Sequence, residues 1–209
     1  DCLLSRGLGD VYKRQVEAIA KTMGKQVEWV DIDFKGLIPG LISKRFDMAV
    51  SAIYITDERK KVVDFTDSYY AGGLVVMVKA DNKAINKLAD LDGKKVSVQV
   101  GTKSVAYLTE KFPKVQRVEV EKNQEMFNLV DIGRADAAVT GKPAAFQYVR
   151  TRPGLRVLDE QLTTEEYGMA LRKDTPELTK AVNGAITKLK ADGTYAAIVK
   201  KWFSNGAAK

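Results

Sequence analysis

Among 209 residues there is no histidine and a single cysteine, Cys2. A serine or cysteine hydrolase of the usual kind needs an imidazole base, and most zinc sites need imidazole or clustered thiolates. Both kinds of chemistry are therefore excluded, and no metal or other cofactor is expected. A lone cysteine cannot close an internal disulfide and leaves the redox compartment open. No apolar run approaches the roughly 20 residues that cross a bilayer, and no basic start leads into an apolar signal segment. The expectation is a globular chain, either a mature form or a fragment, in which carboxylate or lysine chemistry remains open.

What is present is a chain that is 45% hydrophobic and 29% charged, enough apolar material for a proper core in one domain or two small lobes. The net charge of +7 raises the question of a nucleic-acid partner. The lysines, however, are spread along polar helix faces (Lys180, Lys188, Lys190, Lys200, Lys201) without interleaved stacking aromatics. They read as solvated surface, and no nucleic acid is expected.

Strands and helices alternate along the chain. QVEWVDI (26–32) reads as a strand, KGLIPGLISKR as a short helix, and DMAVSAI and VVMVKA as further strands. KVSVQV then leads through GTKS into the helix VAYLTEKF. EMFNLVDIGR reads as a helix, DAAVT as a strand, and PAAFQYVRT as a helix opened by Pro143 at its first position. The last 35 residues read as helical, broken by Gly193. This alternation predicts an α/β protein with parallel sheets, and two such runs joined near Tyr69–Gly73 predict two lobes.

Three stretches could carry chemistry. After SAIYITDERKK a turn delivers Arg59 near the carboxyl edge of a strand, where ligands of open α/β sheets gather. A guanidinium grips a carboxylate there through two parallel hydrogen bonds, although Arg59 in DERKK, taken alone, reads first as a surface ion-pair residue. In VQVGTKSVAYL a strand turns at Gly101 into a helix whose free N–H groups form an anion site. Thr102 or Ser104 could instead simply cap that helix. Phe34, between a strand and a helix, is either core or the wall of a pocket, with Tyr54 as a second aromatic surface that would attract a cationic amino group.

Five blocks, SAIYITDERKKVVDFTDSYYAGGLVVMVK, DLDGKKVSVQVGTKSVAYL, GRADAAVTGKPAA, EEYGMAL and DGTYAAIVKKWF, resemble in order and spacing the polar amino-acid-binding proteins of ABC importers, the bacterial extracellular solute-binding proteins of family 3. The likeness runs from Val16 to Phe203 and is nearest in character to the glutamine-binding members. It implies a two-lobe periplasmic-binding-protein-like fold of type II with a hinged cleft. Lobe 1 would comprise residues 1–72 and 165–209, and lobe 2 residues 73–164. The protein would be a monomer that captures a polar amino acid or related small zwitterion and delivers it to the transmembrane permease. It would work outside the cytoplasm, free in the periplasm or lipid-anchored, and would not be an enzyme. Two other classes stay open: a small-carboxylate lyase of the same fold, and a ligand-sensing domain of a receptor.

Carried over position by position, the resemblance makes Arg59 the clamp on the ligand carboxylate. Ala52 and Tyr54 fall where members offer backbone and side-chain groups, and Phe34 falls on the aromatic wall. Thr102, Lys103 and Ser104 fall at the helix start that completes the carboxylate site, and Gln99 where the ligand side chain is selected. Thr140 and Gly141 occupy the stretch where members usually place the aspartate that binds the ligand ammonium, and no carboxylate stands there. Burying an ammonium without a counter-charge is costly, so another acid, carbonyl oxygens or aromatic faces must compensate, or the ligand is not an ordinary α-amino acid.

The opening, DCLLSRGLGDVYKRQ, fits nothing in this pattern. Residues 16–24 have the spacing of the end of an amphipathic helix, with Val16, Ile19, Ala20 and Met23 on one stripe and Gly24 as a stop. The residues before them supply no matching start. DVYKRQ resembles a translated sequencing adapter, so residues 1–15 are expected to be an artefact standing in place of the first strand of lobe 1.

Overall fold

The structure, a computed structural model, describes residues 3–203; Cys2 lies outside them. In chain order the elements are α1 (Leu3–Thr22), a 3-10 turn (Phe34–Gly36), α2 (Leu37–Ile42), β1 (Met48–Tyr54), α3 (Asp57–Lys60), β2 (Asp64–Phe65), β3 (Tyr70–Ala71) and β4 (Leu74–Lys79). There follow a second 3-10 turn (Leu88–Leu91), β5 (Lys95–Gln99), α4 (Lys103–Lys111), β6 (Gln116–Val120), α5 (Asn123–Asp131), β7 (Ala137–Gly141) and α6 (Lys142–Arg150). The chain continues through β8 (Leu155–Gln161), β9 (Glu166–Leu171), α7 (Pro176–Ala191) and α8 (Thr194–Phe203). The break between the last two falls at Gly193, whose φ of +81° is a conformation that glycine adopts without strain.

Contacts divide the chain into two compact units. The first is built from the chain up to Ile32, Gly36–Ala71 and the chain from Glu166 onward; the second from Asp33–Lys35 and Gly72–Glu165.

In the first unit β9 is the organising strand, with β1, β2 and β3 all antiparallel to it. Its residues Tyr167, Met169, Ala170 and Leu171 are buried, and α7 contributes Val182, Ala185, Ile186 and Leu189 at helical spacing. The expectation of a parallel sheet is corrected here, because β9 enters this unit after the chain has traversed the second and runs against every strand it meets. The strand expected over 26–32 is not formed either. A strand exists through a neighbour's ladder; this stretch has none, and it leaves Trp29 at 44% and Val30 at 46% exposure.

The helix expected to begin without a start runs back to Leu3. The reason is visible from Tyr12 onward: Tyr12, Gln15, Val16, Ile19 and Ala20 share one buried stripe at the 3.6-residue period. The fit is incomplete, since the buried Tyr12 hydroxyl and Gln15 Oε1 have no hydrogen-bond partner among the described residues, a rare condition for buried polar atoms. Gly24 takes a φ of +66°, as a helix stop requires.

The second unit is a five-stranded sheet in the order β6-β5-β7-β4-β8. β5 is parallel to both β6 and β7, whereas β4 is antiparallel to β7 and β8, so the sheet is mixed. Leu74 through Val78 of β4 are all buried, an unbroken apolar run suited to a strand covered on both faces. On one of these faces Phe127 of α5 stacks on Tyr148 of α6 with ring centroids 4.4 Å apart. Pro143 sits one position later than expected, with Gly141 as the N-cap and Lys142 as the first helical residue. β6, β8 and β9 were not among the expected strands.

Candidate functional site

In the first unit, Thr56 precedes the single turn α3 and its hydroxyl accepts the N–H of Arg59 at 3.3 Å. This cap aims the Arg59 side chain back toward the sheet, where Nη1 donates to the Tyr54 carbonyl at 2.9 Å. Burial lowers the proton affinity of the guanidinium, with Glu58 and Tyr54 opposing the shift. Arg59 is thus a half-buried cation fixed at the end of β1, and it keeps its charge at neutral pH.

Two residues earlier in β1, Ala52 has a φ of +49°, at a register irregularity between Ala49 and Ile53 in the β1–β9 ladder. A non-glycine residue in this region is strained by roughly 1–2 kcal/mol. The bulge takes the Ala52 backbone out of regular pairing beside the Arg59 anchor. Tyr54 is 5% exposed, its ring 4.5 Å from that of Tyr167, and its hydroxyl accepts a hydrogen bond from Tyr167 at 3.0 Å. Burial pushes the Tyr167 phenol well above its ordinary range, so it stays a neutral donor. Tyr54 therefore serves Arg59 through its carbonyl while its ring belongs to a tyrosine cluster.

In the second unit, adjacent parallel strands β5 and β7 end at the same edge of the sheet and turn there into α4 and α6. The β5 turn uses Gly101 at φ +74°, and a side chain there would also press on the Lys35 backbone, 3.1 Å from an added Cβ. Thr102 stands at the N-cap of α4 but does not cap it. Its hydroxyl instead donates to the Gln99 carbonyl at 2.7 Å. The N–H groups of the first turn of α4 are left without a side-chain acceptor among the described residues. Ser104, in that turn, is 2% exposed, and its hydroxyl makes no hydrogen bond to a described residue, nor is it sealed from solvent.

Gln99 closes the edge by donating through Nε2 to the Glu121 carbonyl at 2.9 Å. Phe34 stands half-buried in a 3-10 turn next to Lys35, whose ammonium meets the Glu121 carboxylate at 2.6 Å. Lys103 pairs with Glu165. Burial pushes the Glu165 carboxyl up, but the hydrogen bonds from Lys103 and Thr163 outweigh it and leave the group below the ordinary carboxylate range. At the end of β7, Thr140 is 7% exposed, and Gly141 provides the N-cap of α6 with no side chain to fill the role.

The expected residues thus gather in two clusters, one per unit. Ala52, Tyr54 and Arg59 lie at the end of β1; Phe34, Gln99, Thr102, Lys103, Ser104, Thr140 and Gly141 group with the second unit. Glu165 and Gln161 were missed. Glu165 meets Lys103 only through the fold, and no local spacing marks it. Among the described residues no group of three or more metal-capable side chains occurs, and no helix is long and apolar enough to cross a membrane.

Residues 14–205 match the family described as bacterial extracellular solute-binding proteins, family 3. The L-cystine-binding protein TcyJ of Escherichia coli (strain K12) is 34% identical over 195 residues, covering 92% of this chain and 73% of its own. Among solved structures, an ancestral arginine-binding protein bound to glutamine superposes with a TM-score of 0.88 at 39% identity, covering 92% of this chain and 87% of the other. The ancestral amino acid-binding protein AncCDT-1, a precursor of cyclohexadienyl dehydratase, superposes with a TM-score of 0.87 at 40% identity, covering 92% and 85%.

Proposed function

Since the chain belongs to the bacterial extracellular solute-binding proteins of family 3, we propose that it is the capture component of an ABC importer, acting as a monomer outside the cytoplasm on a small amino-acid-like solute. The free or lipid-anchored form and the transmembrane permease are parts of the same reading. Relatives named for binding cystine, arginine, glutamine and histidine support it. The observation that carries it is the uncapped start of α4, where unpaired N–H groups and the Ser104 hydroxyl form a receptor for a carboxylate.

On this reading Arg59, at the end of β1, is a planar, permanently charged fork suited to a carboxylate. Ala52 offers backbone groups, Phe34 an apolar wall, and Gln99 and Thr140 polar contacts. Binding shifts the protein toward the ligand-gripping conformation, which the permease reads. Glu165, the carboxylate of the second cluster that pairs with Lys103, is held ionised and is poorly suited to act as a general acid. Binding without turnover is therefore favoured over the lyase reading that the dehydratase precursor raises. A thermal-shift screen of small carboxylates, with turnover assayed alongside, tests this reading. A saturable rise in melting temperature without product supports it; product formation supports the lyase.

A further inference from the structure

The charges at the carboxyl edge of the second unit's sheet are not balanced. Lys35 is matched by Glu121, and Lys103 by Glu165. Lys142, the first residue of α6, has no carboxylate within ion-pair distance among the described residues. Its ammonium donates to the Gln161 amide oxygen at 3.4 Å. That oxygen is held in place because Gln161 Nε2 donates to the carbonyls of Gly72, at 3.1 Å, and Thr163. Lys142 is therefore steered by a fixed neutral acceptor and leaves its charge uncompensated.

Beside it, Thr140 is 93% buried by the complement of its 7% exposure. Its hydroxyl has no hydrogen-bond partner among the described residues and is not sealed from solvent. The start of α6 adds one N–H, that of Ala144, since Lys142 N donates to the Gly73 carbonyl at 2.9 Å and Pro143 has no N–H. The position before the helix, Gly141, carries no side chain. An ammonium group brought here would find the Glu121 and Glu165 carboxylates already paired with lysines, with Glu165 Oε2 lacking a hydrogen-bond partner among the described residues; an anion would meet a cation, a buried hydroxyl and a helix start.

Resting on the solute-capture reading above, we infer that the solute carries a second anionic group, seated on Lys142, Thr140 and the Ala144 N–H. Its first carboxylate occupies the start of α4. Because α4 and α6 spring from adjacent parallel strands, the two anionic groups are separated by roughly the spacing of neighbouring strands to that of packed helices, on the order of 5–10 Å. The ligand class is a short dicarboxylate, or an acidic amino acid whose nitrogen is acylated and uncharged.

Isothermal titration of the full chain with glutarate, 2-oxoglutarate and N-acetyl-L-glutamate, against L-glutamine and L-arginine, tests the inference. The expected result is that at least one of the dianionic compounds binds tenfold or more tightly than both amino acids, and that Lys142→Gln weakens it at least tenfold. Gly141→Asp, tolerated at a φ of −63°, should reverse the order in favour of L-glutamine. Tighter binding of either amino acid by the unmodified chain, or unchanged dianion affinity in Lys142→Gln, overturns the inference while leaving solute capture intact. Failure of both ligand classes to bind overturns the capture reading itself.

Discussion

Thr102 donates its hydroxyl to the carbonyl of Gln99 at 2.7 Å, although it occupies the N-cap of α4. A threonine in that position ordinarily accepts an N–H of the first turn. Here the hydroxyl has turned away and does not cap the helix.

Replacing Thr102 with aspartate supplies both the missing cap and a negative charge. Capping and the helix dipole together should stabilise the second unit by about 0.5–2 kcal/mol. The same carboxylate occupies the anion position and should reduce affinity for any carboxylate ligand by tenfold or more. Chemical denaturation and calorimetric titration measure the two effects; a variant that is both less stable and unimpaired in binding contradicts this role for the helix start.

The Lys103–Glu165 pair gives the stability a defined pH dependence. The folded carboxyl titrates below its ordinary value, so its contribution is fully present above the unfolded pKa and is lost as the pH falls through the folded one. Unfolding profiles between about pH 6 and pH 3, a range set by ordinary carboxylate titration, should fall more steeply for the unmodified protein than for Glu165→Gln. Parallel profiles would show that the pair contributes nothing to the pH dependence.

Ala52 stores strain at its φ of +49°. Glycine adopts this conformation freely but costs more chain entropy, so Ala52→Gly should change stability by less than about 1 kcal/mol. Ala52→Val places a β-branched side chain in the same region and should destabilise by about 1–3 kcal/mol. Denaturant midpoints of the two variants check the contrast, and equal effects would argue against the bulge.

Much of this was legible in the sequence because it is local. The apolar run of β4, the turn at Gly101 and, to within one residue, the proline near the start of α6 each declare themselves locally. Arg59 was visible as a type at a turn, but its selection over the neighbouring DERKK charges needed the family pattern. What was hidden is non-local. The direction of β9 depends on the path the chain takes before reaching it, and the failure of residues 26–32 to form a strand depends on the lack of a partner ladder. Glu165 and Gln161 matter through Lys103 and Lys142, which lie far from them in the chain. The turn of the Thr102 hydroxyl toward Gln99 is equally a matter of geometry, since the residues GTKS fit a capped and an uncapped helix alike.

The central claim is the proposal that the start of α4 receives the carboxylate of the solute. Titration of the tightest ligand found against Thr102→Asp and Ser104→Ala measures this directly. The account predicts that each weakens binding, the aspartate by about tenfold or more; unchanged affinity in both variants would contradict it.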